Sequence, residues 1–94
     1  MKLRWTQLAI KGLDSAHAYV AEHNPSAANH LIDRIEEAVQ VLRQHPTAGR
    51  NGRLKGTREL VVTGTPFVIP YRVRGNAIEI LAVLHGARKW PGNL

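Results

Sequence analysis

The stretch between Lys55 and Trp90 constrains the fold of this 94-residue chain most, because it holds three apolar runs separated only by turn residues. Short runs rich in β-branched residues and bounded by Gly, Pro and Asn are typical of strands joined by tight turns. The predicted strands cover residues 59–63, 67–73 and 77–85. Strands this close in sequence pair as hairpins, so a small antiparallel sheet is expected.

The last run, residues 77–85, is the longest and is apolar on both faces. By the two-residue period of a strand, one face carries Ile78, Ile80, Ala82 and Leu84. A strand with two apolar faces is usually central. Pro70, in the middle run, has no N–H to donate, so it is expected at an edge, at a bulge or at a position without a ladder hydrogen bond.

The composition indicates a basic domain with an acidic partner. Thirteen Lys and Arg against seven Asp and Glu give a formal charge of +6, and such a field attracts nucleic acids or acidic proteins. The chain has no cysteine, so neither a disulfide framework nor a thiolate metal site is expected. No apolar run approaches membrane-spanning length. We therefore expect one cytoplasmic domain over residues 1–94, without a membrane partner.

The first part of the chain predicts a strand followed by a helix. Residues 2–5 alternate polar and apolar, so they are expected to pair as a first strand with the later sheet. Thr6 is a suitable N-cap for an amphipathic helix that ends near His23. Its apolar stripe is Ala9, Leu13, Ala16 and Val20.

A second helix is predicted to start at Asn24-Pro25, because Asn is a good N-cap and Pro is tolerated at the first helical position. It ends before the His-Pro pair at 45–46, since the residue before Pro avoids helical geometry. Two helices joined so closely form an antiparallel hairpin, and each has an apolar stripe to bury on the sheet. The predicted fold class is α+β.

Residues 47–58 connect the hairpin to the sheet and show no hydrophobic period. Three glycines are interspersed with the four cations Arg50, Arg53, Lys55 and Arg58. A solvated connecting loop is one interpretation. The other is a contact for a target or nucleic acid, in which Gly lets the backbone approach and the cations meet phosphate or carboxylate.

The segments GTRELVV, TPFVIPYRV, IEILAVLHGAR and KWP, with NPSAA opening the second helix and HPTAGR closing it, resemble the RelE/ParE superfamily of bacterial type II toxins. This resemblance implies a helical hairpin on a small antiparallel sheet and the toxin role in a toxin–antitoxin pair. It also implies a cognate acidic antitoxin that is partly disordered when free. Operator DNA would be bound only through the antitoxin complex.

The superfamily has two branches. RelE-like members are ribosome-dependent ribonucleases that cut messenger RNA, whereas ParE-like members act on DNA gyrase. Under the ribonuclease interpretation, His85 serves as acid or base, and Arg58 and Arg88 act with it as catalytic residues that hold phosphate. Further contacts to the target or nucleic acid are expected from Arg50, Arg53, Lys55, Arg72, Lys89 and Trp90.

The resemblance to the RelE nucleases is incomplete. Those enzymes have an Arg at the start of the middle strand and a Tyr after the last strand. At the first position this chain has Thr65-Pro66-Phe67, and at the second it has Trp90. The ParE-like branch is therefore favoured. A messenger RNA interferase remains the alternative, and a non-toxic, basic nucleic-acid-binding module is a third hypothesis.

Each of these residues also has a structural interpretation. The ring of His85 is expected to bond to backbone, Arg72 to pair with Glu59 or Glu79 across neighbouring strands, and Trp90 to pack on the domain. The remaining histidines are scattered over helices and their ends, without the spacing of a metal site. No metal or cofactor is expected.

Overall fold

The computed structural model describes residues 1–92 and residue 94. Its elements are β1 (Lys2–Trp5), α1 (Gln7–Ala21), α2 (Pro25–Leu42), β2 (Arg50–Asn51), β3 (Arg58–Val61), β4 (Phe67–Arg74), β5 (Ala77–Ile80) and β6 (Leu84–His85). The sheet order is β1-β5-β4-β3-β2, and β6 pairs with the other end of β4. Within the described residues, neither helix is long and apolar enough to cross a membrane. The predicted α+β architecture is confirmed.

Both helices begin where the sequence predicts. The Thr6 hydroxyl accepts a hydrogen bond from the amide of Ala9 at 3.0 Å, and the Asn24 side chain accepts one from Ala27 at 3.1 Å. These side chains satisfy amides that have no partner inside the helix. The second helix buries one apolar stripe, as expected, and its buried residues recur every three or four positions: Ala28, Leu31, Ile35, Val39 and Leu42.

The sheet is mixed, which differs in one pair from the antiparallel sheet that the sequence predicts. Strand β1 joins the sheet as predicted, but it runs parallel to β5, with Leu3 opposite Ile78. The other strand pairs are antiparallel. Two helices separate β1 from the rest of the sheet in sequence, and a long connection of this kind permits parallel pairing.

The prediction of one continuous strand over residues 77–85 is wrong, because this run is broken opposite Pro70. On β4, Tyr71 pairs with Ile80 and Val68 pairs with Leu84, so one extra residue lies between the two pairs on the partner chain. The Pro70 carbonyl accepts from the Leu81 amide at 2.9 Å. The N–H and C=O groups of an extended residue point to the same side of the strand. An N–H at Pro70 would therefore also point toward Leu81, and proline has none. Of the three positions expected for Pro70, which were an edge, a bulge and a site without a ladder hydrogen bond, the structure shows a bulge, and its extra residue lies on the partner chain.

The extra residue reverses which side chains face the helices. A continuous strand would place Ala82 and Leu84 on the face of Ile78 and Ile80, but the core beneath the helices contains Val83 with those two isoleucines. Because the side-chain period is two, a shift of one residue exchanges the two faces. His85 thus pairs with Phe67, a residue of the helix-side core.

Residues 47–58 are more ordered than a simple connecting loop. Arg50 pairs with Glu59 and Asn51 with Arg58, so β2 extends the sheet. The buried Tyr71 hydroxyl donates to the Pro46 carbonyl and accepts from the Gly49 amide, both at 2.8 Å. These bonds fix the exit from α2 onto the sheet. Burial raises the pKa of Tyr71 above 10.0.

Helix α1 approaches the sheet closely at Gly12. A Cβ atom at this position would lie 2.7 Å from the carbonyl oxygen and 3.0 Å from the amide nitrogen of Val83. Both are backbone atoms, so they cannot rotate away as a side chain would. Glycine is therefore required for contact between α1 and the segment that follows the bulge.

We expect Gly12→Ala to lower the free energy of unfolding by about 1–3 kcal/mol, because the added methyl group overpacks the interface. In an unconstrained helix the same change would stabilise by about 1 kcal/mol. Urea denaturation measures the difference. Ser15→Ala, at an exposed position of α1, is the control and is expected to be near neutral. A Gly12→Ala protein more stable than the parent would contradict the close approach.

Candidate functional site

A small cavity lies where α1 meets the chain after the bulge. Its volume is about 180 Å³. Apolar residues form its walls and polar side chains its rim, and the lining residues are Gly12, Ser15, Ala16, Tyr19, Phe67, Val83, Leu84, His85, Arg88 and Lys89. We call this site the α1 pocket. It brings together three of the residues singled out in the sequence, His85, Arg88 and Lys89.

His85 occupies a fixed position in the α1 pocket. Its ring lies edge-on to Phe67 and Tyr19, with centroid distances of 5.8 Å and 6.3 Å. The Ala87 amide donates to Nδ1 at 3.2 Å, so the neutral ring carries its proton on Nε2. The expected bond from this ring to backbone is thus present, and it uses one of the two nitrogens that acid–base chemistry would need.

Arg88 lies beside the same pocket. Its guanidinium carbon is 4.9 Å from the centroid of the Tyr19 ring, a cation–π geometry. Lys89 lines the pocket with it. Within residues 1–92 and 94, neither cation forms a salt bridge. Both are exposed, so they are available to an anionic partner.

Tyr19 was not identified from the sequence as a site residue. It is an exposed aromatic residue of α1, at 45% relative exposure, and it lies at the edge of the helix face that meets the sheet. An aromatic ring next to the apolar stripe of a helix is a weak signal, since single exposed apolar residues are common. Only its contacts with His85 and Arg88 distinguish it.

Arg58 lies far from the α1 pocket. It pairs with Tyr71 across β3 and β4, whereas His85 pairs with Phe67. Phe67 and Tyr71 are four steps apart along extended β4, which is a distance of roughly 13 Å at the usual rise of a strand. The Arg58 guanidinium donates to the carbonyl of Gly49 at 2.9 Å. The fold therefore brings His85 and Arg88 together but leaves Arg58 elsewhere.

A buried carboxylate organises the two cations Arg50 and Arg53. Glu59 is only 2% exposed. Its Oε1 accepts from Arg50 Nη2 at 3.1 Å. Its Oε2 accepts from the backbone amide of Arg53 at 2.7 Å and lies 3.7 Å from Arg53 Nε. Because a buried charge needs partners, these arginines stabilise the fold. Lys55, in the turn between them and β3, is exposed.

Trp90 lies on the other face of the sheet from the α1 pocket. The guanidinium carbon of Arg53 is 3.7 Å from the centroid of its ring. Glu59, which binds Arg53, pairs with Pro70 and so faces away from the helices. The expected packing of Trp90 on the domain is observed, and its Nε1 is buried without a hydrogen-bond partner in the described structure. The Trp90 side chain thus does not line the α1 pocket with those of Arg88 and Lys89.

Arg72 and Glu79 pair across β4 and β5, which confirms one of the two predicted partners. The Nε atom of Arg72 lies 2.6 Å from Glu79 Oε1, and that of Arg74 lies 3.6 Å from the same oxygen. The hydrogen bond from Arg72 is the main reason that the pKa of Glu79 lies below its ordinary value of 4.5, and the charge of Arg74 adds to this effect.

The positive charge is concentrated in the second half of the chain. Residues 1–43 hold five cations and five acids, whereas residues 44–94 hold eight cations and two acids, so the whole charge of +6 lies after α2. Those two acids, Glu59 and Glu79, are both bound to arginines. In the part of the chain that the structure describes, no three His, Asp or Glu residues form a group that could hold a metal ion.

Comparison with known proteins gives a consistent result. Residues 3–90 match the family model described as the ParE toxin of the type II toxin-antitoxin system, parDE. The chain is 43% identical over 90 residues to the putative toxin Y4kP of Sinorhizobium fredii, a match that covers 96% of this chain and 93% of that protein. Toxin RelE2 of Caulobacter vibrioides is 33% identical over 84 residues, covering 89% and 93%.

A solved structure supports the same relationship. It is titled the chromosomal ParDE TA system from P. aeruginosa, and the matching chain superimposes with a TM-score of 0.84 at 33% identity. The match covers 90% of this chain and 95% of that chain. The helical hairpin on its sheet is therefore shared with a protein of the same family.

We expect Glu59→Gln to lower the free energy of unfolding by about 1–3 kcal/mol. The amide removes the buried charge that Arg50 and Arg53 share and brings an NH2 group, with two N–H donors, into a site lined by donors. Urea denaturation is the measurement. Glu22→Gln, at an exposed position after α1, is the matched control and is expected to be near neutral. Equal stability of the two variants would mean that the Glu59 cluster does not hold this region together.

We also expect the stability to depend on pH through Glu79. Since its pKa is lowered in the folded state, its contribution is present above pH 4.5 and is lost as the pH falls through the lower folded value. The difference in free energy of unfolding between the parent and Glu79→Gln should thus shrink below pH 4.5. Denaturation curves between about pH 3 and 7 test this, because the range extends to both sides of the ordinary pKa of 4.5. A difference independent of pH would exclude the contribution.

Proposed function

The chain belongs to the ParE toxin family of type II toxin–antitoxin systems, and from this premise we propose that it arrests growth by acting on DNA gyrase until its antitoxin binds it. The family match over residues 3–90 carries the proposal. As the toxin of such a system, the protein has an antitoxin as its partner. The gyrase target and the residues that reach it are the proposed part.

The α1 pocket and its cationic rim are the proposed contact with the target. Arg88 and Lys89 are exposed and unpaired among the described residues. By contrast, Arg50, Arg53 and Arg72 are bound to carboxylates within the fold. Charges that already have internal partners contribute less to binding than free ones, since a new partner must displace the old one.

The ribonuclease alternative has weaker support from the geometry. Cleavage of RNA by its own 2′-hydroxyl needs a base, an acid and a cation near one phosphate. His85 uses Nδ1 to accept a hydrogen bond from the Ala87 amide. The β4 residues that pair with Arg58 and with His85 are roughly 13 Å apart along the strand. His85 and Arg88 both line the α1 pocket, so a variant of His85 is included in the experiment below to test for acid–base chemistry.

The charge distribution supports an acidic antitoxin. Residues 44–94 carry the whole net charge of +6. The two acids in this segment, Glu59 and Glu79, are paired with arginines. An acidic segment that is disordered when free would gain electrostatic attraction to residues 44–94 while losing conformational entropy as it folds. Any binding of operator DNA belongs to the antitoxin complex.

We expect induced expression in a bacterial host to give gyrase-dependent DNA breaks within minutes, while translated messages stay intact. His85→Asn should remain toxic, because Asn keeps an acceptor for the Ala87 amide but has no acid–base function. The double variant Arg88→Ala, Lys89→Ala should lose most toxicity. Lys11→Ala, which removes an exposed cation on α1, is the control and should remain toxic.

Several outcomes would contradict the proposal. Cut messages with intact DNA, together with loss of toxicity in folded His85→Asn protein, would establish the ribonuclease instead. Unimpeded growth with neither signal would favour a non-toxic nucleic-acid-binding module, which would bind naked RNA or DNA with strong salt dependence.

A further inference from the structure

We propose that the α1 pocket is a peptide subsite that takes one aliphatic side chain followed directly by acidic residues. The occupant is an acidic segment of the antitoxin, so the inference deepens the proposed function and rests on it for the identity of the partner. The binding chemistry itself is a property of the pocket, and it can be measured without gyrase or growth.

The size and walls of the pocket favour a single side chain. Its volume of about 180 Å³ is well below the 300–1,000 Å³ or so of sites for drug-sized ligands. The floor is formed by Ala16, Phe67 and Val83, all of which are buried. An aliphatic group that enters this space leaves water without displacing any polar contact of the floor.

The depth of the pocket is set by backbone geometry. Gly12 contributes no side chain, and a Cβ atom there would lie 2.7 Å from the carbonyl oxygen of Val83. The edge-on rings of Tyr19 and Phe67 hold His85 at the side of the cavity. Because these contacts are made within the free chain, little ordering is needed before a ligand binds, and such preorganisation favours affinity.

The charge of the rim selects acidic residues next to the aliphatic anchor. Arg88 and Lys89 line the pocket, and no lining residue is an acid. Arg88 is oriented by the Tyr19 ring, so its guanidinium lies beside the entrance. A carboxylate there accepts charge-assisted hydrogen bonds from Arg88, whereas a basic peptide is repelled. An aliphatic side chain without a neighbouring acid would contact the apolar floor but leave Arg88 and Lys89 without a partner carboxylate.

The experiment uses the full chain labelled with nitrogen-15 and titrated with three short peptides. The probe is acetyl-Gly-Leu-Glu-Glu-Gly-amide. One comparison peptide replaces Leu with Gly, and the other replaces both Glu with Gln. The proposal predicts that the probe shifts the amide signals of Ser15, Tyr19, Val83 and Arg88. Loss of Leu should weaken binding about tenfold, and loss of the two charges about fivefold.

Two variants at exposed positions of α1 test the location. Ser15→Phe places a ring at the rim of the pocket and should abolish probe binding. Ala18→Phe adds the same ring at a position that does not line the pocket and should leave binding unchanged. Retention of binding in Ser15→Phe, or equal loss in both variants, would overturn the assignment.

Three results of the peptide titration would also overturn the proposal. These are the absence of localised shifts, equal binding of the three peptides, and stronger shifts of the same signals by adenosine monophosphate, which would make the site a nucleotide pocket. Localised and selective binding would support it even if the toxin had no effect on gyrase. In that case the pocket chemistry would stand, and the proposed target would fail.

Discussion

The missing N–H of Pro70 is the constraint on which the candidate site depends. It leaves β4 without a donor on the side of β5, and the partner chain accommodates this with one extra residue between Ile80 and Leu84. A one-residue slip exchanges the faces of a strand. His85 consequently lies beside Phe67 on the helix side, and the turn that follows it carries Arg88 to Tyr19.

Close packing by α1 completes this arrangement. Val83 reaches the helix-side core only because the register has shifted, and Gly12 admits its backbone only because it has no Cβ. The two features are interdependent, since a helix held further away would leave Val83 exposed and the α1 pocket without walls. Helix propensity alone disfavours Gly at this position by about 1 kcal/mol, and the contact with the sheet offsets that cost.

The sequence was sufficient to predict what local rules control. Thr6 and Asn24-Pro25 mark the helix starts because caps act within one turn, and the alternation in residues 2–5 identifies β1. The continuous strand over residues 77–85 was wrong because its register depends on Pro70 of the partner strand, and the pattern of residues 77–85 itself carries no sign of that pairing. For the same reason the sequence could not tell that Arg58 lies apart from His85, or that Tyr19 joins the site, since both facts follow from how elements pack.

The position of Trp90 adds a further constraint on how partners bind. The chain crosses from the helix side at His85 to the opposite face at Trp90, where Arg53 covers the ring and Glu59 holds Arg53. Adjacent residues in sequence thus form two surfaces on opposite faces of the sheet. A compact target can contact only one of them, whereas an extended antitoxin can wrap around the edge and contact both. An antitoxin that wraps the toxin therefore need not cover every residue that contacts the target, provided that it covers the rim of the α1 pocket.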